Sequence, residues 1–536
     1  MNELRTDVLV VGAGIAGALV ATELARGGIG VLLLESGPRV DRGEAVRRFR
    51  ESSARVPEAP YPSLAYAPRP TVLDPNGYYV QEGPELFGST YERRVGGTTW
   101  HWLGTAIRMI PSDFELNSRY GVGVDWPIGY DELEPWYSRA EDEIGVAGVD
   151  DPALGAPRSR PYPMPPIPQS YLDRRVSEAA ETIGLKVTPT PQARNSRAWD
   201  GRPACCGNAT CVPICPIGAK YDASVHVAKA EKLGAQLVAP AIVRELDVRP
   251  SGVTARFLRP DGTEGVVHAR TVIVAAHAVE TPKLMLLSRG PEHPAGLGND
   301  RDLVGRFLMD HPVQVSWALA PEPVYPFRGP LSTSGIETLR DGSFRARRSA
   351  LRVEIGNDGW SWPAGDATVQ ASTHASEHRL GKAGLDELKH RFARQLRLAS
   401  LTEPLPDPRN RVTLAEQRDE LGIPRPKLSY RTGAYARAGL DAGLETHRRL
   451  FEALEATEIQ HAEQPFGAGH IMGTCRMGDD PRTSVVDAEL RVHGRRNCFV
   501  ISTAVFPTVG TANPTLTLAA LSLRAAGAVR RSLGSA

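Results

Sequence analysis

Six residues near the start of the chain restrict its fold more than any others: Gly12-Ala13-Gly14-Ile15-Ala16-Gly17, a GxGxxG run. The apolar segment before it, Asp7-Val8-Leu9-Val10-Val11, reads as a short buried strand, and residues 15–26 after it read as a helix. A second apolar segment, 30–35, ends on Glu35. Strand, glycine turn, helix and strand make a βαβ unit. The first glycine allows the tight turn, the second lets a pyrophosphate approach the backbone, and the third lets helix and strand pack closely. Phosphate then meets the free N–H groups of the helix N-terminus. Glu35 lies 18 residues after Gly17, where a carboxylate takes ribose hydroxyls and repels a 2′-phosphate. The unit predicts a dinucleotide site, against the plainer reading of a glycine turn in an α/β sheet. It does not choose between FAD and NAD.

At 536 residues the chain is too long for one ordinary core and is expected to form two large domains, or one with a large insertion. Lys+Arg 63 nearly cancels Asp+Glu 62, which argues against a nucleic-acid-binding surface. No apolar run approaches the roughly 20 residues that span a bilayer, and the first residues lack the basic-then-apolar pattern of an export signal. The expectation is a chain with no anchor or signal of its own.

The rest of the chain divides by pattern. Residues 42–97 are Pro-rich and irregular and are expected to run over the surface, and Pro152–Pro168 reads as a second connector. β-rich stretches near 235–246 and 253–275 end in a buried strand, with a helix from Thr281. Residues 311–460 alternate like an antiparallel sheet and include an amphipathic stretch at 385–398. The last residues read strand, turn and helix, with the helix at 515–530. The expected domains are 1–310 with a return at 461–536 for the nucleotide, and 311–460 for substrate.

Three more motifs carry a resemblance: Arg94-Val95-Gly96-Gly97-Thr98-Thr99-Trp100-His101-Trp102, Ala275-Ala276-His277-Ala278-Val279-Glu280-Thr281-Pro282-Lys283-Leu284, and His470-Ile471-Met472-Gly473-Thr474-Cys475-Arg476-Met477-Gly478 with 508–518. With the N-terminal fingerprint they resemble the glucose–methanol–choline oxidoreductases over essentially the whole chain. The resemblance implies an α/β fold with a Rossmann-like FAD-binding domain and a second substrate domain on an antiparallel sheet. It decides for FAD. It also implies cofactor contacts at Gly12, Gly14, Gly17, Glu35, Gly96, Gly97, Thr98, His101 and Val243.

Oxidising an alcohol with a flavin needs a base for the hydroxyl proton while hydride leaves carbon, and neutral imidazole suits that work near neutral pH. By the family pattern His470, in Gly467-Ala468-Gly469-His470, and Asn513, in Ala512-Asn513-Pro514, form the catalytic pair. The plain readings are a hydrogen-bonding loop histidine and an ordinary helix-start turn. In some relatives a histidine placed like His101 is joined covalently to the flavin; a histidine packed between Trp100 and Trp102 is the alternative.

Four of six cysteines lie between Cys205 and Cys215, which points to a metal or cluster site more than a disulfide framework. The C-x3-C-P ending matches the end of a bacterial ferredoxin run. Neighbouring side chains on extended backbone point apart, so Cys205 and Cys206 are not expected to share a cluster. This segment resembles the catalytic subunits of bacterial FAD-dependent glucose, gluconate and fructose dehydrogenases. The resemblance implies a 3Fe-4S cluster on Cys205, Cys211 and Cys215, with a four-Cys zinc site and a disulfide knot as alternatives. Cys475 and Cys498 read as buried thiols. The family's iron–sulfur members work with a small twin-arginine-exported subunit and a multi-haem cytochrome c. That implies periplasmic export with the partner, a cytoplasmic location without it, and membrane contact only through partners. The expected substrate is a sugar, glucose at C1 ahead of gluconate or another polyol. An oxygen-using oxidase and a flavin-containing lyase are the rivals.

Overall fold

The computed structural model describes residues 2–53, 56–358, 362–365, 367–379 and 381–534. Its first strand, Asn2–Val11, is longer than the apolar run that announces it, and Val8, Leu9 and Val10 are wholly buried. It pairs in parallel with Val31–Leu34 on one side and Glu264–Val274 on the other. Parallel strands of this kind need cover on both faces. Helix Ile15–Arg26 supplies one, packed between helices Ser224–Lys232 and Pro514–Gly534. That arrangement explains why the first helix is buried along almost its whole length and carries no polar face.

Strand Glu264–Val274 has two sets of partners. Its first half pairs antiparallel with Gly252–Leu258, and its second half pairs in parallel with Cys498–Val500 from near the end of the chain. Gln236–Val238 and Ile242–Arg249 complete a seven-stranded sheet.

A second seven-stranded sheet runs Thr457–His461, Pro312–Leu319, Gln395–Thr402, Leu351–Gly356, Ser334–Ile336, Val187–Pro189, with Phe466–Gly467 beside Pro312–Leu319. Every pairing in it is antiparallel. The period-2 rule sorts its side chains. Ser316 and Ser400 face helix Ala434–Ala453, where their hydroxyls hold His447 at 2.8 Å each. Val313, Val315, Trp317, Ala399 and Leu401 face the opposite way, into the large cavity described below. On Leu351–Gly356 the alternation is sharper: Leu351, Val353 and Ile355 join the helix-side core, while Arg352 and Glu354 turn toward the cavity side.

The expected surface course of residues 42–97 is corrected. A helix occupies Arg42–Glu51, and Tyr78, Tyr79, Phe87 and Tyr91 are buried in the main core. Proline content marked irregular backbone correctly but said nothing about depth. The amphipathic stretch 385–398 also divides, into helix Lys382–Arg394 and the buried strand Gln395–Thr402. Among the described residues, no helix is long and apolar enough to cross a membrane.

Candidate active site

One cavity of about 640 Å³ reaches from the glycine turn to the second sheet. Gly12, Gly14, Glu35, Gly97, Thr98, His101 and Val243 line it, and so do His470 and Asn513. Gly17 lies outside its wall, packed behind the turn, and Gly96 lies beside it in the left-handed region at φ +98°.

The three fingerprint glycines behave differently. Gly12 has φ +104°, and a Cβ there would come within 2.5 Å of the Ala275 carbonyl oxygen. A Cβ on Gly17 would come within 2.0 Å of the Gly12 carbonyl oxygen. A Cβ on Gly14 meets nothing within 4 Å, because the space beside it belongs to the cavity. These are the tight turn, the close packing and the open approach that a pyrophosphate requires. Glu35 accepts hydrogen bonds from the N–H groups of Ala13 at 2.9 Å and Gly37 at 3.1 Å. Its carboxylate is thereby aimed at the turn, although burial pushes its pKa up. The residues present fit FAD.

This geometry makes a distinct prediction. Gly14→Val is expected to fold, because its backbone is unstrained and no protein atom is displaced, yet to lose FAD. Circular dichroism unchanged from the parent, with an absorbance spectrum lacking the flavin bands, is the expected result; a yellow, active variant would remove Gly14 from this role.

At the far end of the cavity, Gly469 at φ +73° turns the chain so that His470 faces inward. The Asp310 carboxylate accepts the His470 backbone N–H at 2.8 Å and the Ser89 hydroxyl. The side chains then form a chain of directed hydrogen bonds. Arg352 Nη1 donates to Asn513 Oδ1 at 3.2 Å, which turns the Asn513 amide nitrogen toward His470 Nε2 at 3.1 Å. The other face of His470 meets His311, Nδ1 to Nδ1, at 2.9 Å, and His311 Nε2 donates to the Gly510 carbonyl at 3.0 Å. A carbonyl only accepts, so His311 carries its proton on Nε2 and presents a lone pair at Nδ1. His470 must therefore carry its proton on Nδ1. Its Nε2 is left as the acceptor beside Asn513.

Burial, then the neighbouring His311 and the Arg352 cation, hold the His470 pKa well below its ordinary value. Burial brings His311 down to about 4. Both imidazoles are neutral at neutral pH, the state a proton acceptor requires. Arg352 is itself held by Glu337, with contacts of 2.7–3.1 Å, and by Glu354. The sequence reading missed Asp310, His311 and Arg352. Asp310-His311-Pro312 was legible as an acid–histidine pair entering a strand; Arg352 had no local signal, since its role depends on strand alternation.

His101 faces the cavity from the other side of the cofactor region. Its Nδ1 stands 3.6 Å from Glu92 Oε1, and neither atom has a hydrogen-bond partner. The flanking tryptophans turn to other partners, Trp100 to Tyr61 and Arg42, Trp102 to Tyr221.

Comparison with known proteins settles the family. The N-terminal part of the GMC oxidoreductase family matches residues 7–313 and its C-terminal part matches residues 406–522. The chain belongs to the GMC oxidoreductases. GMC oxidoreductases are FAD-dependent enzymes that act on CH–OH donors. A GMC relative, the fructose dehydrogenase large subunit of Gluconobacter japonicus, is 40% identical over 543 residues, covering 99% of this chain and 98% of that protein. Paromamine 6′-oxidase of Streptomyces fradiae is 31% identical, covering 99% and 92%. The gluconate 2-dehydrogenase flavoprotein of Pantoea cypripedii is 25% identical, covering 99% and 94%. The crystal structure of pyridoxine 4-oxidase from Mesorbium loti has the same GMC fold, with TM-score 0.66, 21% identity and coverage of 98% and 99%.

The cysteine segment forms a second, smaller cavity. Cys205, Cys206, Cys211 and Cys215 all line it, together with Arg194, Asn208 and Pro216. All six cysteines are free thiols, so the disulfide alternative is not realised. Among the described residues, no three His, Cys, Asp or Glu side chains are drawn together as a ligand set. Two of the sulfurs accept backbone donors, Cys205 Sγ from Gly207 N–H at 3.4 Å and Cys215 Sγ from Lys220 N–H at 3.5 Å, while the Cys211 thiol donates to the Asn208 carbonyl. Backbone donors on sulfur around one shared hollow fit a thiolate-held cluster. Cys206 is exposed, whereas Cys211 and Cys215 are buried and Cys205 lies between. Cys475 and Cys498 are buried thiols, each pushed up to about 12 by burial.

Proposed function

We propose that this chain is the flavin- and cluster-bearing subunit of a sugar dehydrogenase. The observation that carries the reading is the single cavity that joins the dinucleotide turn to the His470–Asn513 pair beneath a sheet wall suited to a sugar. Bound FAD, held by Gly12, Gly14, Gly17, Glu35, Gly96, Gly97, Thr98 and Val243, supplies the hydride acceptor; His101 lines the same cavity, where it would contact the cofactor. His470 Nε2 takes the proton of the substrate hydroxyl, while hydride leaves the carbon that bears it. The Asn513 amide, oriented by Arg352, holds the reacting oxygen beside it. Residues 1–310 and 461–536 form the cofactor part, and 311–460 the substrate part.

The wall opposite the cofactor combines the Trp317 ring with Val313, Val315, Ala399 and Leu401, a platform for the apolar face of a pyranose or furanose. Glu354 offers acceptors for hydroxyl groups. Arg397 also lines the cavity, but Asp358 holds its guanidinium at 2.9 Å through both nitrogens. Glu354 pairs with Arg352 and Arg397 with Asp358, so the wall offers no unpaired cation for a sugar acid, which favours a neutral sugar. Fructose, after the 40% identical relative, joins glucose at C1 as a first substrate to test, ahead of gluconate or another polyol.

A 3Fe-4S cluster on Cys205, Cys211 and Cys215 supplies the electron exit, toward a multi-haem cytochrome c. The small twin-arginine-exported partner carries the chain to the periplasm. The 40% identical relative is the large subunit of a fructose dehydrogenase, which supports a multi-subunit enzyme. The oxidase names among the relatives favour oxygen as the rival acceptor. Anaerobic titration of the purified chain with fructose, glucose, gluconate and a polyol tests the reading directly. Bleaching of the flavin by a neutral sugar, with little peroxide on admitting air, is the expected result. No bleaching by any sugar would overturn it, and stoichiometric peroxide would return the enzyme to the oxidases.

The hydrogen-bond chain yields a further expectation. His311→Gln keeps a donor for Gly510 and an acceptor for His470 Nδ1, and should reduce flavin at close to the parent rate. His311→Leu removes the acceptor, frees His470 to protonate at Nε2, and should slow reduction roughly fivefold, the scale of one hydrogen bond of about 1 kcal/mol. Rapid-mixing absorbance measurements separate the two variants; equal rates would remove His311 from its orienting role.

A further inference from the structure

The small cysteine cavity holds a buried cation with no counter-charge. Arg194 is 1% exposed, and its Nε and Nη1 atoms have no hydrogen-bond partner. Nη2 donates to the Leu103 carbonyl at 3.1 Å, and no carboxylate among the described residues pairs with the guanidinium. Its cross-bridge neighbour Lys220 is also buried, with Nζ donating to the Trp100 and Trp102 carbonyls. Burial pushes Lys220 down to about 8. Several other buried guanidinium groups have acids: Arg108 pairs with Glu141 and Glu134, Arg345 with Asp113 and Glu403, and Arg352 with Glu337 and Glu354. Arg202, buried nearby, has no acid either, but two of its nitrogens donate to the Ala219 and Ile144 carbonyls. Arg194 keeps one such contact, and its two unpartnered nitrogens lie in the wall of the hollow that four cysteines share.

Leaving an ionised group buried without a partner is costly, so a guanidinium kept in such a place needs an anion. We propose that Arg194 is the charge-compensating residue of the cluster in this cavity and raises its reduction potential. The inference rests on the cluster reading of the preceding section. Three thiolates around a three-iron cluster leave it net negative, and a one-electron reduction adds one more negative charge. A fixed cation beside it therefore favours the reduced form, and net charge is one of the quantities that set cluster potentials. The same guanidinium is tied to the Leu103 carbonyl, and Leu103 and Trp102 line the cofactor cavity. Arg194 thus stands between the two cavities, where a raised potential draws electrons away from the cofactor.

The test compares the parent with R194Q, which removes the charge, and R194K, which keeps it. Each is purified as the full chain with its partner subunit, assayed for iron, sulfide and FAD, and titrated anaerobically while the cluster signal is followed by electron paramagnetic resonance. Expected is a lower midpoint potential in R194Q, by at least the roughly 59 mV that a tenfold change in a one-electron equilibrium represents, with R194K near the parent. Loss of iron from R194Q alone, with FAD retained and R194K loaded, also supports compensation by charge. Unchanged potentials in both variants, equal shifts in both, or loss of iron from both with FAD intact would overturn the role of Arg194. A parent chain that holds no iron and sulfide, or zinc in their place, would instead sink the cluster reading.

Discussion

His470→Ala is expected to retain FAD and to slow flavin reduction by sugar at least roughly 10²-fold, the scale on which a positioned general base acts. The cofactor contacts lie at the glycine turn, at Glu35 and at Gly96–Thr98, and the substitution touches none of them. Asn513 stays oriented, because Arg352 holds its oxygen at 3.2 Å whether or not His470 is present. What is lost is one acceptor atom, Nε2, which His311 keeps unprotonated by accepting a hydrogen bond from the proton on Nδ1. The parent enzyme should also show a particular pH dependence. Burial depresses the His470 pKa, so the imidazole is already an acceptor throughout the neutral range. The reduction rate should hold as pH falls from 8 to 6.5 and decline only below, as the folded-state pKa is crossed. Rapid-mixing measurements across that range check both statements. A near-parental rate in the alanine variant, or an acid limb centred above 6.5, would take the proton transfer away from His470.

Cys211→Ser is expected to separate the two halves of the reaction. The variant should bind FAD and be bleached by sugar at close to the parent rate, since the cysteine cavity and the proton acceptor share no residue. Transfer to a cytochrome c partner should fall to background, while small dyes that reach the flavin directly continue to be reduced. Cys206→Ser should leave cytochrome reduction intact, because Cys206 is exposed. Iron analysis of the two variants, with cytochrome reduction followed at its visible band, checks the pair. An intact cluster in Cys211→Ser, or loss of transfer in Cys206→Ser, would reassign the ligands.

Local chemistry is what the sequence displayed best. The fingerprint glycines were legible because each has its own steric demand within six residues, and the structure places backbone beside Gly12 and Gly17 and open cavity beside Gly14. The alternating middle segment was legible as antiparallel sheet for the same reason: Val313, Val315 and Trp317 stand at period 2. Depth was not legible. Residues 78–91 carry buried tyrosines within a proline-rich stretch, and only the course of the chain over the first sheet decides that they are covered. The site was half legible. His470 and Asn513 sit in recognisable turns, but Arg352 reaches Asn513 across 161 residues and His311 reaches Gly510 across 199. Contacts at such separations are set by sheet register. The unpaired state of Arg194 was invisible for a further reason, since it depends on which acids fail to arrive.

Strand Glu264–Val274 is completed by Cys498–Val500, and helix Ile15–Arg26 is covered by Pro514–Gly534. The cofactor sheet therefore joins the Asn2–Val11 strand to one made only near residue 500. Until residue 500 has been made, Val272, Ile273 and Val274 present an open strand edge with no neighbour on that side, a template for pairing with other chains. Contacts of such long sequence separation form slowly. Nascent chains of this protein should thus depend on chaperones to the end of synthesis. Removal of the segment from Cys498 onward should yield aggregates instead of a flavin-free domain.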